Sequence, residues 1–284
     1  MRTVKKIHNS EYRPIADLVT YSPMPTHNLD QIDPFIFLNH HGPQDYKPHN
    51  NGLPFGPHPH RGMETVTFII EGDIMHKDSN EHESVIRSGG IQWMTAGSGL
   101  IHAEVSSDEF KEKGGKMEIL QMWLNLPAKY KMVKPFYKGL QKDDIPAVKL
   151  DNGKITAQII SGVWWETEGA FDSMSNVSLT TLYFKKDAEL EINIPTDHNV
   201  FFHVVHGELE INEHTAKMYQ LVEFNNDDEK LKIKSQDDSI VILGHALPFN
   251  EPVVAQGPFV MNTMEEIHQA YRDYQSGKFG SWNG

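Results

Sequence analysis

The chain has no cysteine in its 284 residues. That absence removes disulfide frameworks and thiolate metal sites together, so any metal must be held by His, Asp, Glu or water. No apolar stretch approaches the ~20 residues that a membrane-spanning helix needs, and no membrane association is expected. The opening residues Met1-Arg2-Thr3-Val4-Lys5-Lys6-Ile7 are basic. Neither an apolar signal core nor a small-residue cleavage site follows them, and the chain reads as cytoplasmic. Positive charge is the scarcer sign, with 26 Lys and Arg against 39 Asp and Glu and a formal net charge of −13. Phosphate neutralisation needs a concentrated basic surface, so direct nucleic-acid binding is not expected.

What is present is a succession of short β-branched and aromatic runs separated by Gly, Ser, Asn and Asp. They include Thr65–Ile70, Ile74–Lys77, Ser84–Ile86, Ile91–Met94, Ile101–Glu104 and Met117–Leu126, then Lys154–Gly162, Leu179–Phe184, Leu190–Ile194 and Val200–Val205. Strands at such short intervals mean an all-β sandwich or barrel. Val4–Ile7 could add an edge strand, and Phe35–Leu38 reads as a buried strand ending in the loop Asn39–Pro43. Setting Gly72 over Gly207 lays Glu64–Ile74 on Asn199–Leu209 with apolar strand, polar residue, glycine, acid and apolar residue in the same order. This supports two copies of one β unit. A boundary near Pro135 gives domains 1–135 and 136–284. The second ends in a helix at about 263–275, where Thr263 and Glu266 have capping-box spacing and Ile267, Ala270, Tyr271 and Tyr274 form an apolar stripe for docking on the protein itself.

The chemistry concentrates in Pro57-His58-Pro59-His60-Arg61-Gly62-Met63-Glu64 and in Gly97-Ser98-Gly99-Leu100-Ile101-His102-Ala103-Glu104. In extended chain His58 and His60 share a face about 7 Å apart at their backbones, and so do His102 and Glu104. Any one of the 16 histidines is more readily a solvated or core residue than a ligand. Two such pairs beside glycine-rich turns point to one shared metal. Three imidazoles and a carboxylate suit Fe, Ni, Cu, Mn or Zn rather than Ca or Mg. His40 and His41 would face opposite sides of a strand, which makes them a weaker source of ligands. Under the Gly72 to Gly207 offset, His58 falls on Asn193, His60 on Pro195 and Glu64 on Asn199, so the second copy has no such site. Phe55, Phe68, Trp93 and Met94 could line a flat pocket, although each is also ordinary core material.

These residues resemble the cupin signature. His58-x-His60-x3-Glu64 with Gly72 after the next strand fits its first motif, and Gly97-x-Gly99-x2-His102 approximates its second, with Gly97 where proline is usual. Over nearly its whole length the chain resembles the pirin family of two-domain cupins. The resemblance is carried by Pro57–Val66, Gln92–Glu104, Gln121–Leu126, Glu251–Val253 and Gly257–Thr263. It implies two tandem cupin (double-stranded β-helix, or jelly-roll) barrels with a C-terminal helix. It also implies a single metal, most simply Fe(II), in the first barrel. A general cupin would take Glu64 as its carboxylate ligand, whereas the pirin pattern takes Glu104. Glu104 is preferred here because it shares a face with His102, which leaves Glu64 to hydrogen-bond a ligand imidazole or Arg61.

By resemblance, several pirins open the flavonol quercetin with dioxygen. The expected activity is therefore that of a quercetin 2,3-dioxygenase, with a flavonol and O2 as substrates. His58, His60, His102 and Glu104 would be the ligands and Glu104 the catalytic base toward the 3-hydroxyl. The resemblance also implies an alternative, a metal-dependent, redox-sensing protein-interaction partner or transcription co-regulator with little turnover. The acidic charge is compatible with protein contact.

Overall fold

The computed structural model describes residues 1–282. Its first part contains β1 (Val4–Asn9), β2 (Glu11–Tyr12), β3 (Thr20–Met24), β4 (Phe35–Tyr46), β5 (Phe55–His60), β6 (Met63–Glu71), β7 (Asp73–Asp78), β8 (Glu83–Arg87), β9 (Ile91–Thr95), β10 (Leu100–Val105), the short helix α1 (Asp108–Lys113), β11 (Gly115–Asn125) and β12 (Phe136–Leu140). There follow β13 (Ala147–Leu150), β14 (Ile155–Ser161), β15 (Val163–Trp164), β16 (Thr167–Glu168), β17 (Ser178–Phe184), β18 (Glu189–Asn193), β19 (Asn199–His206), β20 (Glu208–Ile211), β21 (His214–Lys217), β22 (Gln220–Phe224), β23 (Lys230–Ser235), β24 (Ser239–Ala246), β25 (Val254–Gln256), β26 (Phe259–Met261) and α2 (Met264–Gln275).

The fold is all-β, and its strands form two double-sheet barrels. One pairs a seven-stranded sheet, β12-β9-β6-β11-β4-β3-β2, with a four-stranded sheet, β5-β10-β7-β8. The other pairs β1-β22-β19-β24-β17-β14-β13 with β18-β23-β20-β21. The orders correspond place by place: β6 answers to β19, β9 to β22, β11 to β24, and the edge strand β12 to β1. Val4–Ile7 thus does form an edge strand, and it completes the barrel built from the later part of the chain. The turns after β6 and β19 also match, with Gly72 at φ +88° and Gly207 at φ +82°, a left-handed conformation that favours glycine.

The division of the chain differs from a single cut at 135. One compact unit is Met1–Glu11, Tyr21–Ile36 and Asp144–Pro248; the other is Tyr12–Thr20, Phe37–Asp143 and Phe249–Gly284. The strand just past Pro135, β12, pairs with β9, which carries the earlier barrel on to Asp143. Two further expectations shift. β4 continues as a strand through Asn39–Pro43 and does not end in a loop there, and α1 adds a short helix between β10 and β11.

The repeat also stops sooner than the offset suggested. The link before β19, residues 194–198, is longer than the Arg61-Gly62 link before β6. Asn193 is exposed and is not the counterpart of His58. The inner face of β18 instead presents Leu190 and Ile192 to a continuous apolar core with Phe202, Leu209, Ile233 and Leu243.

In the earlier barrel the strand β6 alternates as its period of two requires. Ile69 joins an apolar cluster with Ile74, Ile86, Met117 and Ile119. Thr65 lies opposite Met94, which packs with Ala96, Leu100 and Tyr137. Between these two rows on the ladder sits a polar one, Gln121-Thr67-Gln92, in register across β11, β6 and β9. That row and the four-stranded sheet frame the histidines.

The C-terminal helix forms where expected. Thr263 and Glu266 make a reciprocal capping box, and Ile267 and Ala270 pack with Phe259, Met261 and Phe279. The segment belongs to the unit that contains β5. Arg61, between β5 and β6, donates to the Ser98 carbonyl at 2.8 Å and to Asp273 of α2 at 2.9 Å. The Val260 N–H returns to the Arg61 carbonyl at 3.0 Å.

Candidate metal centre

β5 and β10 are antiparallel neighbours, and His58 stands directly opposite His102, with His60 opposite Leu100. The alternation of both strands turns all three imidazoles to one face. Their ring centroids are 4.4 Å apart for His58 and His102, 4.8 Å for His58 and His60, and 5.0 Å for His60 and His102. One ring nitrogen from each lies within 4.8 Å of the others. His60 and His102 are buried, and His58 is half-buried at the rim.

The hydrogen bonds set the tautomers. His58 Nδ1 is 2.7 Å from the Gly56 carbonyl and His60 Nδ1 is 3.2 Å from the Pro258 carbonyl. A carbonyl can only accept, so each Nδ1 carries the proton and each Nε2 keeps its lone pair. His60 Nε2 and both nitrogens of His102 are buried with no hydrogen-bond partner among the described residues. Buried polar atoms are normally satisfied, and a metal held by the cluster would complete His60 Nε2 and one nitrogen of His102. Burial, then the neighbouring His58, pushes His60 down to about 3. Burial, then His58, His60 and His76, holds His102 well below its ordinary value. Both rings are therefore neutral at neutral pH, the form a metal requires. Three nitrogens with a nearby carboxylate suit a divalent transition ion, so the residues present fit the group.

Glu104 shares the strand face of His102 but stands outside the closed group of three. Its Oε1 accepts from Thr67 Oγ1 at 2.9 Å and its Oε2 from Gln121 Nε2. Glu64 is placed otherwise. Thr67 faces the barrel interior, so Glu64, three residues earlier on an unbroken ladder, points to the opposite and equally buried face. There its Oε1 accepts from Trp93 Nε1 at 3.0 Å and from Thr95 Oγ1 at 2.8 Å. This corrects the expected bond to a ligand imidazole, which lies across the sheet; Arg61, the other expected partner, is directed to Ser98 and Asp273.

The aromatic lining also changes. Trp93 pairs with Val66 on the Glu64 face, and Phe68 has the same parity, so neither fronts the histidines. Met94 is interior, and Phe55 packs on His41 at 5.2 Å. The wall beside the imidazoles is Trp123, 5.2 Å from His60 and stacked on Phe37 at 4.4 Å. The period of two in Gln121-Met122-Trp123 could have marked Gln121 and Trp123 as one face. His76 on β7 was also passed over: it is 5.5 Å from His102, stacks on Tyr137 at 3.7 Å, and meets Asp78 at 3.1 Å. Pro258 lies in a segment that carries the family resemblance, but no spacing or alternation ties it to His60. His40 and His41 do face apart, His40 to Glu118 at 2.7 Å and His41 to Thr20 at 2.8 Å. At Gly97 the departure from proline has a backbone cause, since φ is +49° and the proline ring is locked near −65°.

Comparison with known proteins now adds to the geometry. The Pirin family model matches residues 17–124 and the Pirin C-terminal cupin domain model matches residues 179–280. A Pseudomonas aeruginosa protein provisionally named a quercetin 2,3-dioxygenase is 34% identical over 266 residues, covering 94% of this chain and 92% of its own length. The crystal structure of quercetin 2,3-dioxygenase from Acinetobacter baumannii superposes with a TM-score of 0.93 at 30% identity, covering 99% of both chains. A bacterial pirin of Escherichia coli, in complex with nickel(II), shares the fold at 20% identity, with a TM-score of 0.69 over 86% of this chain and 99% of its own. Both halves match in the expected order, and the alignment runs almost end to end. The chain belongs to the pirin family of two-domain cupins.

Proposed function

We propose that the protein is a metal-dependent dioxygenase that opens flavonols such as quercetin with O2. His58, His60 and His102 would be the nitrogen ligands and Glu104 an oxygen ligand and the catalytic base. The observation that carries this reading is the convergence of three imidazoles, two of them with buried nitrogens that meet no hydrogen-bond partner among the described residues, inside a barrel whose counterpart is filled with apolar side chains. Similarity to relatives that carry the quercetin 2,3-dioxygenase name supports the substrate class.

When bound, a divalent ion, most simply Fe(II) with Ni, Cu, Mn or Zn as alternatives, supplies Lewis acidity and a template for the two substrates. The chain supplies the rest. Gly56 and Pro258 carbonyls hold His58 and His60 in the ligating tautomer. Glu104 accepts the proton of the flavonol 3-hydroxyl, the atom whose ionisation prepares the ring for attack by O2, ring opening and loss of carbon monoxide. Trp123, backed by Phe37, stands beside His60 where a planar substrate would lie, and the buried setting of His60 and His102 excludes water. Anaerobic loading with iron, then quercetin and air, tests the reading: loss of flavonol absorbance with one equivalent of O2 consumed is expected. No loss with iron, nickel, copper or manganese refutes it.

A further inference from the structure

Glu104 is gripped from the opposite sheet. Thr67 and Gln121, its two hydrogen-bond donors, stand directly across from one another on β6 and β11. One cross-strand pair of the larger sheet thus holds both oxygens of a carboxylate carried on the smaller one. Meanwhile the three imidazoles close their group without it. A carboxylate that already accepts a hydroxyl and an amide proton is a poorer donor to a cation, because those donors draw on the same negative charge. It is also fixed in direction, since both donors sit on rigid strands.

We propose that Thr67 and Gln121 are positioning residues that hold Glu104 back from the metal. The ion is then bound chiefly by His58, His60 and His102, and Glu104 is a part-time ligand. This rests on the metal site proposed above and deepens it. The pair keeps the carboxylate directed at its own two donors at the expense of metal affinity. That is the reverse of the usual outer partner, whose removal weakens metal binding by about 10- to 100-fold.

The test uses Co(II) bound to the full chain without air, with affinity measured by competition against a chromophoric chelator and coordination read from the visible ligand-field band. Thr67→Val and Gln121→Met cannot donate and nearly conserve volume. In each, Co(II) binds several-fold to about tenfold tighter, and the band weakens as Glu104 joins the three imidazoles and the coordination number rises. Thr67→Ser keeps the hydroxyl and restores the wild-type affinity and band. Glu104→Gln reverses the gain when added to either variant. Thermal melting of the metal-free variants separates these effects from misfolding, and Thr67→Ser carries the argument if Thr67→Val fails to fold. Weaker Co(II) binding in both Thr67→Val and Gln121→Met overturns the proposal, because Glu104 would then be a full ligand that the pair supports. An unchanged affinity and band overturns it equally. A wild-type chain that takes up no Co(II) defeats the metal site itself, an outcome distinct from either.

Discussion

Acid should destabilise the metal-free protein well before its carboxylates titrate. His41, His60 and His245 are buried, and each is pushed from 6.5 down to about 3, first by burial and then by a neighbouring histidine, His40, His58 and His198 respectively. Each ring stays neutral in the folded chain and takes up a proton in the unfolded chain as the pH passes below about 6.5. The unfolded state then binds more protons, so stability falls with pH. The contribution is complete above the ordinary value and is withdrawn on the way down to about 3. Between pH ~7 and ~5.5 each ring costs about 1.3 kcal/mol, and the three together about 4 kcal/mol. For a chain of this length, with an unfolding entropy of roughly 0.6 kcal/mol per kelvin, the melting temperature should drop by about 6–7 °C. Calorimetry in the presence of a chelator at half-unit steps of pH measures it. His41→Asn and His245→Asn should each flatten the slope by about a third, even where they lower stability overall. A melting temperature that is flat or rising as the pH falls through this window would refute the reasoning.

Other outcomes follow from particular contacts. Glu64→Gln should leave metal stoichiometry unchanged by elemental analysis, because its side chain lies on the face away from the imidazoles, whereas His102→Ala should abolish metal retention. Gly62→Ala should lower stability by about 2–4 kcal/mol in thermal denaturation, since φ is +80° and the new Cβ would lie 2.0 Å from the Val260 carbonyl oxygen. Asp273→Ala leaves Arg61 buried without its 2.9 Å carboxylate partner, and a loss of about 3 kcal/mol by chemical denaturation is expected. Saturating zinc at about 100 times its dissociation constant should stabilise the wild type by about 2.7 kcal/mol and His102→Ala by almost nothing.

The sequence made the all-β class legible because the strand signals are local: β-branched runs broken by turn residues. The site was legible to the same depth. His58, His60 and His102 announce themselves through spacing of two, and alternation alone put Glu104 on the face of His102. What stayed hidden was long-range pairing. No pattern within residues 1–11 shows that β1 will pair with β22, so a cut at 135 looked natural. Glu64 was given the wrong partners because its face is set by Thr67, whose inward direction is visible only once Glu104 is seen across the barrel. Phe68 and Trp93 are by type equally pocket lining or core, and parity makes them core and brings Trp123 in beside the imidazoles. The offset between repeats failed at a link whose length only the second strand pairing reveals.

The proton on His60 depends on a carbonyl 198 residues further along the chain. At a synthesis rate of roughly 5–20 residues per second, His60 is added to the chain ~10–40 s before Pro258 exists to orient it. Pro258 lies on the β25-β26 hairpin. A nascent or C-terminally clipped chain thus holds the imidazoles without the contact that fixes their tautomer, and it should retain metal poorly. If the site holds metal as proposed, its retention would report that synthesis has passed Pro258.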